Sequence, residues 1–391
     1  MANVNEELLR LTKKPAVEQD PVKTAMVDAL KYKIKHHPHR VSADLSVRIA
    51  YSKFIKKYIE NIGNEIKTAN GYQCITNASR KQKGVLKKGW VPGTAGEEFL
   101  VGKKLILSKR IGTDSANGVV YLTMGKSKLV ALASKIMSLE RMNVPEIEFL
   151  LMLSKMAESG VSPNLPICYK VINCTVPCKE PTGPSVAVQA VQENQKCPLF
   201  TTKPYFLLLN ELANGDLKMW LKLQKRTDEE IMNAVQQTLL SLAVLHSLGV
   251  SHCDAHYGNF LYHVVEKGGF WWYKINGNDY YVENMGVLFM TWDFGFTTKH
   301  GGECTYDVVA SPANDVIKLM ASFIHAYHKF KTVSAQAVKV VDDFKNAAYR
   351  FSSLSTPQKS PIESMFRALN MHVPPPAKSK IVNKVPYTFN F

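Results

Sequence analysis

No stretch of this chain comes near the roughly 18 uninterrupted apolar residues of a membrane-spanning helix, although 46% of its 391 residues are hydrophobic. That lack excludes a helical integral membrane protein. The opening residues Met1-Ala2-Asn3-Val4-Asn5-Glu6-Glu7 lack the apolar core of a secretion signal. A cytoplasmic, non-secreted protein is therefore expected, and the sequon Asn77-Ala78-Ser79 carries no weight. Acidic residues are in deficit, 33 against 49 Lys and Arg, a net charge of +16. A surplus of this sign suits acidic partners (nucleotide, nucleic acid or acidic protein) or makes a plain basic surface. Cysteines are few, seven in all, and their odd number and scatter fit free thiols in a reducing compartment. Cys168, Cys174, Cys178 and Cys197 cluster loosely, but their gaps of five, three and eighteen residues lack the two closely spaced ligand pairs of a zinc site.

Residues 1–97 form a basic, mostly helical extension. A helix is expected from Pro21 to about Lys35, broken by His36-His37-Pro38-His39-Arg40, and a second begins after Ser42. In the second, Ile55, Tyr58, Ile59, Ile62 and Ile66 recur at helical spacing between Lys53, Lys56 and Lys57. This stripe suits packing on the rest of the protein; a membrane-surface or nucleic-acid role is the alternative. Gly84 to Gly96 reads as a linker.

From Glu98 the pattern turns to strands. Phe99 to Leu107 is a first run, and Arg110 to Tyr121 follows with Gly112 and Gly118. Glycines between strands let a backbone close over phosphates, since no Cβ blocks the approach. An ordinary hairpin turn has the same composition. Lys135 then sits in Leu132-Ala133-Ser134-Lys135-Ile136, and Glu146 to Leu151 starts a helix. Pro163 to Pro166 opens another strand, and residues 174–203, with four prolines, read as an insert. Tyr205 to Leu212 is a strand. Thr227-Asp228-Glu229-Glu230 is a capping box; its helix lines up Ile231, Val235, Leu239, Leu242 and Leu245 and ends at Gly249. Asn276-Gly277-Asn278 marks a hairpin between aromatic runs, whose rings suit sheet packing better than base stacking. Helices follow near Asn314 and from Ala335 to Ser352, then a Pro-rich basic tail from Pro374.

The densest chemistry lies in Val250 to Leu261, with His252, Asp254 and Asn259, followed thirty-four residues beyond Asn259 by Asp293 in Trp292-Asp293-Phe294-Gly295. An Asp and an Asn at this spacing can share one nucleotide-bound metal site: the Asp accepts a hydroxyl proton while the amide oxygen ligates Mg²⁺. In this order the two segments resemble the catalytic loop and metal motif of the protein kinase superfamily. The resemblance covers about residues 98–330 and is strongest from 205 to 320.

It implies an α+β, two-lobed kinase-like fold: an antiparallel N-lobe at 98–213, a mainly helical C-lobe at 214–391 with a hairpin insert at 263–286, and the 1–97 extension. The implied cofactors are ATP and Mg²⁺. Asp254 would be the proton acceptor, and Asn259 and Asp293 the metal ligands. Lys135 would meet the α- and β-phosphates, steadied by Glu146, with Glu148 as alternative. Gly112, Gly118 and Val120 would cover the nucleotide, and backbone of Glu211 and Ala213 would meet the adenine edge, beside Asn210. Asp315 would hold the catalytic-loop backbone, and His252, Phe294 and Leu150 would stack.

Four departures qualify the likeness. Cys253 replaces the Arg of kinases switched by activation-loop phosphorylation. His256 stands where protein kinases commonly carry Lys, as in small-molecule phosphotransferases of the superfamily. Asp315 follows Asp293 by only twenty-two residues, without an Ala-Pro-Glu motif, and fewer than eighty residues remain after it. These features resemble the divergent serine/threonine kinases of large DNA viruses. The expected activity is transfer of the ATP γ-phosphate to protein Ser or Thr, without activation-loop phosphorylation, in host cytoplasm or virion. The alternatives are a small-molecule phosphotransferase and a non-catalytic virion or binding protein on the same scaffold.

Overall fold

The computed structural model describes residues 21–36, 40–60, 62, 67–68, 71–72, 74–77, 99–102, 105–111, 118–125, 129–174, 204–304, 308–352, 360–369, 371 and 374–390. The architecture is α+β, and the chain divides into two compact units. One comprises residues 1–40, 46–144 and 167–212; the other comprises 41–45, 145–166 and 213–391. Their bounds differ from the three consecutive segments expected from the sequence. The linker at Gly84–Gly96 and the insert between Cys174 and Pro204 lie outside the described residues.

The first unit is built on an antiparallel sheet of seven strands. In spatial order they are Ile75–Asn77, Phe99–Val101, Leu105–Ile111, Gly118–Gly125, Ala131–Ser138, Tyr205–Glu211 and Cys168–Cys174. Ala131–Ser138 and Tyr205–Glu211 are buried along nearly their whole length, which is why neither shows an alternation of apolar and polar residues. At about 4.8 Å per strand a flat sheet of this size would hold its edges about 29 Å apart. Yet Cys74, next to the first strand, is disulfide-bonded to Cys174 at the end of the last, with Cα atoms 5.6 Å apart. The sheet therefore curls round on itself, helped by register shifts at Leu107/Lys109 and Cys168/Lys170, where an extra residue bends the strand.

The N-terminal helices are part of this unit. In Leu45–Ile59 the stripe residues Ile55 and Ile59, and Ile62 beyond it, are fully buried. A Cβ on Gly102, at φ +54°, would meet Ile62 Cγ2 at 2.6 Å, so only glycine fits that turn. The Tyr51 hydroxyl donates to the Leu129 carbonyl. The stripe is thus buried as expected, and Ile75–Asn77 pairs with Phe99–Val101 across residue 97, so the N-terminal segment contributes a strand to the sheet.

The second unit is mainly helical. Its central helix, Asp228–Ser247, starts at the capping box: Thr227 Oγ1 accepts from Glu230 N at 3.2 Å and the Glu230 carboxylate accepts from Thr227 N at 3.0 Å. Two of its polar residues face inward and register a strand. Gln237 accepts from Phe289 N and donates to the Val287 carbonyl, and Ser241 Oγ accepts from Thr291 N. The other edge of that strand, Val287–Thr291, pairs with Phe260–Val264. Phe270–Ile275 and Asn278–Glu283 form the expected hairpin, with Asn276 and Gly277 at φ +49° and +80°, the signature of a tight primed turn. In the Pro-rich tail, Tyr387–Phe389 adds a parallel strand to Phe270–Ile275.

The cysteine expectation is overturned. Cys74 pairs with Cys174 and Cys253 with Cys304; among the described residues only Cys168 is a free thiol. Partners 100 and 51 residues apart leave no local spacing signal.

Candidate active site

The site residues of the second unit hang from one loop. The central helix ends at Gly249, at φ +70°, and Val250–Ser251 pairs with Thr298–Lys299. The chain then turns through Cys253, at φ +62°, a left-handed conformation that needs external support in a residue with a Cβ. Asp315, 1% exposed in the helix Pro312–Phe330, provides that support. Its Oδ2 accepts from His252 N at 2.7 Å and its Oδ1 from Cys253 N at 2.8 Å. His246 Nε2 stands 3.1 Å from the same carboxylate. This is the role expected for Asp315.

The loop presents Asp254 partly exposed. Asn259 Nδ2 donates to Asp254 Oδ2 at 3.0 Å and to its carbonyl at 2.9 Å. Lys318 Nζ donates to Asp254 Oδ1 and reaches the Cys253 carbonyl at 3.4 Å. His256 Nδ1 accepts from Gly258 N at 2.9 Å, so the ring proton sits on Nε2, 3.5 Å from Asp254 Oδ2. Burial lowers the His256 pKa, against the raising pull of Asp254, so the imidazole is neutral at neutral pH. A Cβ on Gly258 would come within 2.7 Å of His256 Cε1; the glycine makes room for the ring.

Asp293 is brought to the same place by the backbone. Trp292 N donates to the Asn259 carbonyl at 2.8 Å, continuing the ladder in which Phe260 pairs with Thr291, and Asp293 follows at φ +62°. Asp293 acts on the charge of His256. The next residue, buried Phe294, lies 5.7 Å from the His252 ring and 5.8 Å from Phe149. His252 Nε2 meets the Trp292 carbonyl at 2.9 Å. The expected contact of His252 with Phe294 is present, Phe149 is a further ring beside Phe294, and the adjacent Leu150 is buried in the core.

Asn259 and Asp293 supply oxygen donors that could hold a divalent cation. The two bonds from Asn259 Nδ2 to Asp254 turn Oδ1 the other way, as a hard oxygen ligand, and Asp293 adds a carboxylate. Mg²⁺ commonly takes one or two such groups, with phosphate and water completing its shell. Among the described residues no group of three or more His, Cys, Asp or Glu makes an all-protein metal cage.

In the first unit Lys135 lies mid-strand, 2% exposed, opposite Val120 on one side and Leu208 on the other. A Cβ on Gly118 would meet the Ile136 carbonyl at 2.6 Å. Gly112 lies outside the described residues. Glu211 ends the Tyr205–Glu211 strand, and its side chain, unforeseen in the sequence, forms a buried ion pair with Arg48 at 2.6 Å. Ala213 opens the last stretch of the second unit. Of the two glutamates considered beside Lys135, Glu146 is 4% exposed in the first turn of Val144–Glu158 and Glu148 is exposed.

Lys318 and Cys304 are the other residues that sequence reasoning missed. Lys318 had a signal: it lies three residues after Asp315, hence on the same helix face. Cys304 had none. The chain matches no protein-family model and no curated protein.

Proposed function

We propose that this chain is a protein kinase that moves the γ-phosphate of Mg-ATP to serine or threonine hydroxyls. The observation that carries it is one constellation. Asp254 is bonded to Asn259, Asp293 follows the residue bonded to Asn259, and the loop holding them is clamped by Asp315. Phosphoryl transfer asks mainly for positioning and charge neutralisation. When bound through Asn259 and Asp293, Mg²⁺ supplies neutralisation at the phosphates. Asp254 orients the acceptor hydroxyl and takes its proton as the new P–O bond forms. Asn259 fixes the Asp254 rotamer, and the His252–Phe294–Phe149 stack fixes the segment carrying Asp293. The function also needs Lys135 for the α- and β-phosphates.

The bond between Cys253 and Cys304 stands where a phosphate-reading arginine would otherwise meet the activation segment. A covalent tie needs no phosphate, so activity without activation-loop phosphorylation follows; Ala at Thr297, Thr298 and Thr305 should leave it intact.

The test is transfer of γ-labelled phosphate to the protein itself and to a basic generic protein. Label on Ser or Thr should fall by about 10²–10⁴-fold in Asp254→Asn and be lost in Lys135→Met. His256 and the short segment after Asp293 favour one second reading, a small-molecule acceptor; label would then appear on metabolites and not on protein.

A further inference from the structure

One face of the helix Pro312–Phe330 touches the loop at three points. Asp315 accepts from His252 N and Cys253 N, Lys318 donates to Asp254, and Ser322 Oγ accepts from Tyr257 N at 3.1 Å. The three residues are spaced three and four apart, one stripe of a helix. They differ in burial. Asp315 and Ser322 are 1% and 5% exposed, whereas the Lys318 side chain is 45% exposed. A strut gains nothing from facing water. A cation that must leave one partner for another does.

The loop itself provides no fixed positive charge beside Asp254. His256 spends Nδ1 on Gly258, and Cys253 is locked in a disulfide. A phosphoryl group in flight carries its charge on three oxygens, and catalysis rests on neutralising it. The helix delivers a permanent cation to the same carboxylate, sixty-four residues along the chain.

Building on the kinase function above, we propose that Lys318 is the cation for the transferring phosphoryl group, resting on Asp254 and passing to the phosphoryl oxygens at transfer. In that step the bond from the γ-phosphorus to its bridging oxygen breaks, and the departing nucleoside diphosphate keeps the electron pair. The bond to the acceptor oxygen forms, and its proton passes to Asp254. Lys318 gains and loses no proton; it moves its charge from a carboxylate to the phosphoryl oxygens, which leaves Asp254 open to the hydroxyl.

The experiment compares affinity for MgADP alone and for MgADP with aluminium fluoride, a mimic of the phosphoryl group in flight. The proteins are wild type, Lys318→Met, Lys318→Arg and, as a control on an exposed part of the same helix, Lys329→Met. Lys318→Met should bind MgADP as wild type does but lose about 100-fold in affinity for the fluoride complex, the scale of removing one preorganised donor. Its kcat should fall in parallel, with KM for Mg-ATP unchanged. Lys318→Arg should recover part of both, and Lys329→Met should match wild type. Unchanged fluoride-complex affinity and kcat in Lys318→Met, with MgADP binding intact, would overturn the role of Lys318 and leave the kinase function standing. Failure of the wild type to bind MgADP would overturn the function itself, and this role with it.

Discussion

Arg48 and Glu211 meet at 2.6 Å with side chains 1% and 6% exposed, while Lys318 and Asp254 meet with side chains 45% and 21% exposed. Both are a cation on a carboxylate. The first is sealed in the sheet unit, with Lys33, Tyr51 and Tyr169 buried close by. Each of its members has lost its water and cannot be spared, since an uncompensated buried charge is far costlier than a missing pair. The second sits in a loop whose backbone is held by Asp315, so its cation can come and go without loosening anything. Stability is concentrated in one pair, and room to react in the other.

The widest test of that contrast is Arg48→Met, which leaves Glu211 buried without its guanidinium and should cost about 3–5 kcal/mol in urea unfolding. Next comes Cys304→Ser. Opening the loop of 51 residues should cost about 2–4 kcal/mol by the chain-entropy account, and reductant should have no further effect at that bond. A third test uses pH. Burial lowers Lys33 to about 8, against the raising pull of Glu211 and with Arg48 adding to the fall. The unfolded chain, at the ordinary lysine value, holds this proton to higher pH, so stability should rise from about pH 8 toward 10, by roughly 3 kcal/mol for the full shift. Above that, Tyr51 and Tyr169, held protonated by burial, work the other way: the folded state then keeps protons that the unfolded chain gives up. Lys33→Met should flatten the rise between pH 8 and 10 in melts across that range. The smallest effect is expected for the exposed pair: Lys318→Met should change stability by less than about 1 kcal/mol. A loss as large as that of Arg48→Met would erase the distinction.

What could be read from the sequence follows how local each interaction is. The capping box at Thr227–Glu230, the helix stop at Gly249 and the Asn276-Gly277 turn are written within a few residues and appear where expected. Asp254, Asn259 and Asp293 were legible because their order along the chain is itself a pattern, and the structure brings the two segments together through Trp292 and Asn259. Phe149, a further ring against Phe294, was missed because periodicity places a helix face only to within a residue. Arg48 and Glu211, 163 residues apart, were beyond reach, since nothing in a basic N-terminal helix distinguishes the one arginine that finds a buried carboxylate. The two disulfides were misread for the same reason, and the tail strand Tyr387–Phe389 depends on a hairpin more than a hundred residues earlier.

The Cys74–Cys174 bond also sets how the protein answers to force. It closes a covalent ring that contains every strand of the large sheet except Tyr205–Glu211. If the chain is pulled from its two ends, the load passes through the sulfurs, and the chain between them, a separation of 100 residues, bears no tension. Full extension therefore falls short by about 340 Å. The Cys253–Cys304 bond, spanning 51 residues, withholds about 170 Å more. Reductant should release these two lengths as separate steps in a stretching record, the longer from the sheet unit and the shorter from the loop that carries Asp254.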